Sequence, residues 1–231
     1  MDYWNWIGNN MQKDYFLNGG GDQWFARNAN NSEKFKERYD EFLIGSMDKL
    51  PFKPLRVLEI GCSAGWWLNA IRGHYDAYCY GIDPSVKAIE YGKMQYPELV
   101  LQQGTADNLP FKDDFFDVVV FGFCLYLCDP KDLFKIASEA DRVLKSPGAL
   151  FIIDFDTLIP HYNIYAHHEG IKCYKMDFSK MFYWHPGYNL TYKECVVKNT
   201  SNVDARETIS VLLKNFERAF IKNPFIASTI C

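Results

Sequence analysis

Between Leu55 and Phe155 short apolar runs alternate with amphipathic segments, and this alternation restricts the chain to one broad class of fold. Leu55–Ile60, Ala77–Ile82, Leu99–Gln102, Phe116–Phe121 and Ala149–Phe155 have the length and composition of strands. Ala64–Arg72, Ser85–Met94 and Pro130–Leu144 lie between them. The last of these places Leu133, Ile136, Ala137, Ala140, Val143 and Leu144 on one helical face. Phe116–Phe121 is almost wholly apolar, as a strand covered on both faces must be. Strands alternating with helices predict an α/β fold with a parallel sheet. Ile171–Phe178, Tyr188–Lys198 and Thr208–Lys214 then alternate at strand period, which predicts an antiparallel closing part of the same sheet.

Ahead of this core, residues 1–32 are rich in Asn, Gly and aromatics and are interrupted by Gly19, Gly20 and Gly21. They read as an arm of short helical pieces. Ser32 is expected to start a helix that runs to Met47 and is stopped by Pro51 and Pro54. No linker divides the chain, so 1–231 reads as a single domain. Within it, 1–50 is the arm or lid, 55–155 the core, and 156–231 a loop with the closing strands.

Composition narrows the function. The formal charge of −4 supplies no basic field for nucleic acid or an anionic membrane. No run of 18 apolar residues is present, and the start lacks the pattern of a secretory signal. The seven cysteines include no CxxC pair, which fits reduced thiols in the cytoplasm and no metal framework. A small-molecule partner is therefore expected, with neither nucleic acid nor membrane.

Glu59-x-Gly61-Cys62-Ser63-x-Gly65 lies where the first strand turns into the first helix. Ligands of open parallel sheets bind beyond the carboxyl ends of the strands. Glycines there allow close backbone approach, and the helix start leaves N–H groups facing the ligand. Asp83 closes the second strand, where a carboxylate can accept from two ribose hydroxyls at once. A third acid, Asp107, follows the third strand within Gln103–Phe111.

Taken together these segments resemble class I S-adenosylmethionine-dependent methyltransferases of the type 11 kind. The pattern E/D-x-G-x-G-x-G is matched with Ser63 in a glycine position. The FD-plus-apolar strand is matched by Phe116-Asp117 onward, and the LKPGG turn by Leu144–Gly148 with Ser146 inserted. The resemblance covers about 55–155. It implies a Rossmann-like, mostly parallel seven-stranded sheet with one antiparallel strand and helices on both faces. It also implies S-adenosylmethionine as cofactor, with S-adenosylhomocysteine as product. Glu59 would help place the methionine end and Asp107 would accept from the adenine amino group. Gly61, Cys62, Ser63, Gly65, Pro84, Ala106, Asn108 and Phe123 would complete the cofactor site. Arg27, on a covering arm, would hold the methionine carboxylate.

The resemblance does not specify the acceptor. No N/D-P-P-Y/F segment follows strand four, which disfavours adenine and amide nitrogens. The preferred acceptor is a hydroxyl of a sugar or other metabolite, which needs a base. His161, His167 and His168 cluster after strand five and are the candidates. Tyr126, Tyr162, Tyr165 and Trp184 are candidate substrate walls. Two rivals remain at this level: a cofactor-binding regulatory module without turnover, and an NAD-dependent oxidoreductase. Ser63 and Trp66 stand in glycine positions of the dehydrogenase fingerprint and argue against the second.

Overall fold

The computed structural model describes residues 11–29, 41–196 and 202–222. Seven strands form the main sheet in the order β3-β2-β1-β4-β5-β9-β8. These are β1 Arg56–Ile60, β2 Tyr78–Asp83, β3 Val100–Gln103, β4 Phe116–Gly122, β5 Leu144–Phe155, β8 Tyr188–Cys195 and β9 Glu207–Lys214. Strands β1 to β5 pair in parallel. β9 runs antiparallel to both β5 and β8, so it is the one reversed strand of the sheet. The expected Rossmann-like architecture is therefore the observed one.

Why β4 is apolar throughout follows from its two faces. Val118 and Val120 join Val57, Phe151 and Ile153 beneath helix α4 (Trp66–Tyr75), which contributes Leu68 and Ile71. The helical stretch 41–47 (α3) adds Leu43 and Met47 to that layer, and α5 (Val86–Gln95) adds Ile89. Val119 and Phe121 point the other way, with Leu58, Ile60, Leu150 and Ile152. There they meet Ile136, Ala140 and Val143 of α6 (Leu133–Val143) and Phe182 of α7 (Lys180–Tyr183). Alternate residues of a strand face opposite sides, so a central strand between two helical layers has no polar face to spare.

Two expectations change. The Ile171–Phe178 run does not join the main sheet. Its strand, β7 (Lys172–Lys175), pairs antiparallel with β6 (His161–Ile164) in a separate two-stranded ribbon. Alternation specifies a strand but not its partner, and a neighbouring strand a few residues away costs little loop entropy to reach. The helix expected from Ser32 is observed over 41–47; its first part lies outside the described residues, as does the end of the strand expected to reach Lys198.

The arm, α1 (Met11–Tyr15), a π turn (Phe16–Gly20) and α2 (Gly21–Asn28), crosses the carboxyl ends of the strands. It is fastened at four points. Gln12 donates to Leu127 O (2.7 Å) and accepts from Lys172 N (2.8 Å). Lys13 pairs with Asp107 (2.9 Å). Asp22 accepts from Ser85 Oγ (2.7 Å) and Lys87 N (3.0 Å), and Arg27 donates to Tyr165 Oη (2.7 Å). Gly21 permits this approach: a Cβ there would stand 3.0 Å from both Ser85 N and Phe16 O.

Because Phe121 is fully buried between the sheet and α6–α7, Phe121→Ala should lower unfolding free energy by about 3–5 kcal/mol. Urea denaturation followed by circular dichroism measures this.

Candidate functional site

Strand β1 ends in a turn that only particular backbone angles allow. Gly61 and Gly65 both sit at φ +79° and Ser63 at +49°. Gly61 N and Cys62 N donate to Ile82 O at 2.8 and 3.1 Å, which ties the turn to β2. A Cβ on Gly61 would lie 2.5 Å from Cys124 Cβ, so the loop after β4 closes on the turn only because residue 61 has no side chain. Gly65 has a different reason. It is the residue before α4, and a Cβ on it would strike Leu99 at 2.9 Å.

The turn forms the floor of a cleft with about 910 Å³ of empty space. Gly61, Ser63, Asp83, Pro84, Ala106, Asp107 and Phe123 all line it, as the sequence suggests. The arm roofs it through Lys13, Phe16, Gly21 and Trp24. Its mixture of apolar wall and few polar groups suits a nucleoside.

Asp83 is the pivotal acid of the cleft. Its Oδ2 accepts from Ser63 N (2.8 Å) and its Oδ1 from Ser85 N (2.9 Å). A carboxylate offers about four acceptor positions, so room remains for a vicinal diol. Burial raises its carboxyl to about 6, against the two N–H bonds that lower it. Asp107 behaves oppositely. Burial works to raise it, but hydrogen bonds from Lys13 and Thr105 and the charge of Lys135 hold it below its ordinary value. The cleft thus pairs an acid whose carboxyl burial raises with one whose partners hold it below its ordinary value.

A second cavity opens from the first. Trp24, Gly61, Ser63, Gly122 and Phe123 belong to both. Its own walls are Trp66, Trp67, Tyr126 and Phe155, with Asn28, Cys62 and the carboxylates Glu59 and Glu207. Glu59 is buried at the end of β1. Phe123 adopts φ +48° at the end of β4 and packs near Trp67 (6.3 Å) and Phe155 (5.6 Å). Tyr126 packs edge-on to Phe155 at 5.0 Å and shares the cavity wall with Trp24. The loop carrying Phe123 and Tyr126 is held by buried Asp154, which accepts from Leu125 N, Tyr126 N and Phe155 N at 3.0, 3.3 and 2.8 Å. Burial raises the Asp154 carboxyl to about 7, although these three bonds oppose it.

Several expected residues stand elsewhere. His161 lies on the β6–β7 ribbon, outside both cavities. Its Nδ1 faces Ile159 O (2.8 Å) and its Nε2 faces Asp204 Oδ1 (2.7 Å). Both ring nitrogens are thus engaged, and the bonds to Ile159 and Asp204 raise its pKa. Neither nitrogen faces a cavity in which an acceptor could sit. His167 and His168 are exposed. His168 packs on Tyr15 (4.5 Å) and His167 on Tyr165 (5.2 Å), and neither lines the cavities. Tyr162 and Trp184 are 52% and 70% exposed and also stand away from them. Tyr165 is buried against Phe16 and Ile171. Arg27 is committed to Tyr165 and is absent from the cavity walls, so this arrangement offers it no carboxylate. Asn108 is exposed beside the cleft and does not line it. For His161 and Tyr162 the cause is plain: strand β6 of the ribbon is exposed along its whole length.

The arm and the loop after β4 supply lining residues that the sequence alone does not single out, namely Lys13, Phe16, Trp24, Leu127, Cys128 and Asp129. Only the aromatic density of the arm hinted at them. Cys124 also lines the cleft, but burial raises its thiol well above the ordinary range, which removes it as a nucleophile. Among the described residues no helix is long and apolar enough to cross a membrane.

A cleft ligand that hydrogen-bonds ionised Asp83 should bind more weakly as pH falls through about 6. The raised carboxyl also means that folding stability declines as pH rises from its unfolded pKa through about 6. Calorimetric titration with S-adenosylhomocysteine between pH 5 and 8 checks the first, and Asp83→Asn should abolish the pH step.

Residues 58–152 match the family model described as a methyltransferase domain. An uncharacterized methyltransferase of Bacillus subtilis, YcgJ, is 35% identical over 105 residues, 43% of this chain and 40% of that protein. A demethylmenaquinone methyltransferase of Bacillus mycoides is 30% identical over 106 residues, 43% of this chain and 44% of its own length. The chain thus spans less than half the length of these curated relatives. Among solved structures, the PH0226 protein of Pyrococcus horikoshii superposes with a TM-score of 0.62 at 17% identity, covering 80% of this chain and 93% of that one, which shows a shared fold. The sheet order with its single reversed strand and the glycine turn at the end of β1 give the chain the Rossmann-like fold, and residues 58–152 are similar to the methyltransferase domain.

Proposed function

We propose that this chain methylates a small molecule carrying a flat apolar ring, seated in the cavity lined by Trp24, Trp66, Trp67, Phe123, Tyr126 and Phe155. The observation that carries this reading is the shared wall: Gly61, Ser63, Gly122, Phe123 and Trp24 border both the cofactor-sized cleft and the aromatic cavity. Two ligands in these spaces meet without any domain movement.

S-adenosylmethionine, when bound, supplies an electrophilic methyl group on a sulfonium. The chain's own residues then have three tasks. Asp83, Pro84, Ala106 and Asp107 hold the nucleoside end in the first cleft. Glu59 and Glu207 place negative potential around the second cavity, which favours a positive centre at the junction. Aromatic walls stack on an acceptor ring, orient it and exclude water. Some of the relatives are named for demethylmenaquinone, a ring-bearing acceptor, and the aromatic cavity supports an acceptor of that class. The sugar-hydroxyl expectation fits less well, because the histidines that would serve as its base stand outside the cavities.

Incubation with methyl-labelled S-adenosylmethionine and a panel of quinols, phenols and sugars should yield acceptor-dependent S-adenosylhomocysteine with ring compounds. Phe155→Ala should raise the acceptor KM about tenfold or more, as loss of one stacking partner does, while His161→Ala should leave turnover unchanged. Cofactor binding without turnover across the panel would instead favour a regulatory module.

A further inference from the structure

Ser63 carries three costs at once. It holds φ +49°, a left-handed conformation that side chains other than glycine's rarely adopt. It is 6% exposed. Its Oγ is buried with no hydrogen-bond partner among the described residues. Glycine at this position would remove all three, and the family pattern has glycine there. Buried polar groups without partners are few in folded proteins, and strain of this kind collects where ligands bind.

Its surroundings indicate what the hydroxyl awaits. The Ser63 N–H is occupied by Asp83 Oδ2, so the residue abuts the acid suited to a ribose diol. Ser63 also borders the second cavity beside Glu59 and Trp66. A nucleoside with an amino-acid tail that runs from Asp83 toward Glu59 passes Ser63 between its sugar and its amino group. The strong acceptor on that stretch is the tail carboxylate. Arg27, the cation expected for it, is bound to Tyr165 instead.

Resting on the methyltransferase reading, we infer that the Ser63 hydroxyl donates a hydrogen bond to the carboxylate of the cofactor's amino-acid tail, the role expected of Arg27. Ser63 is then a cofactor-binding residue that the free protein tolerates at a loss of stability.

The test uses two probes on the whole chain: S-adenosylhomocysteine, and 5′-methylthioadenosine, which has the nucleoside but no amino-acid tail. Ser63→Ala removes only the hydroxyl. It should weaken S-adenosylhomocysteine binding about tenfold or more, the usual effect of losing a bond to a charged group, and leave methylthioadenosine affinity unchanged. The melting temperature of the ligand-free variant should equal or exceed that of the parent, and Ser63→Gly, which also relieves the backbone, should melt higher still. Equal weakening toward both probes would place the contact on the nucleoside and overturn the inference. So would unchanged affinity for both, or a fall in the ligand-free melting temperature of Ser63→Ala. A parent chain that binds neither probe overturns the methyltransferase reading itself, before any variant is made.

Discussion

The absent side chain at Gly61 is the constraint on which the site depends. With φ +79° and Cys124 Cβ only 2.5 Å from where its own Cβ would be, this residue lets the loop after β4 pack directly on the turn after β1. That contact brings Phe123 and Cys124 to the end of the sheet and leaves one wall common to two cavities. The backbone of the same turn bonds to Ile82 O and, through Ser63, to Asp83. Three parallel strands are thereby tied together at their carboxyl ends, largely through backbone N–H groups.

Buried carboxylates do the remaining positioning. Asp83 takes N–H groups from the β1 turn and the start of α5, and Asp154 takes three from the loop after β4 and from β5. Each raised carboxyl reflects the cost of an acid held away from water, offset by directed N–H groups. The arm uses exposed and half-buried pairs instead. Its contacts to Asp107, Ser85, Leu127 and Tyr165 are individually modest, but they come from four points along 19 residues and act on one cover.

What the chain places around the second cavity is aromatic and acidic, not basic. The cluster of histidines after β5 looked suited to proton abstraction because sequence proximity to the active-site edge was the only available guide. The ribbon formed by β6 and β7 turns that segment outward, and Asp204 with Ile159 O consumes both nitrogens of His161. Arg27 was misplaced for a related reason. Its helix does cover the cleft, but the face that carries Arg27 packs on Tyr165, and Trp24 one turn earlier faces the ligand space.

Periodicity alone determined the parallel α/β core and the order of its elements, while the glycine turn, Asp83 at the end of β2 and Asp107 after β3 stood out through the family resemblance. These are local properties: a two-residue alternation, a helical spacing, or a backbone angle that needs glycine can be read from a few neighbouring residues. Tertiary structure decided which residues distant in sequence share a wall. Trp24 reaches Tyr126, Lys13 reaches Asp107, and Glu207 joins Glu59 at one cavity. It also decided that the Ser63 hydroxyl is buried without a partner among the described residues, because the cost of burying a hydroxyl depends on what packs around it.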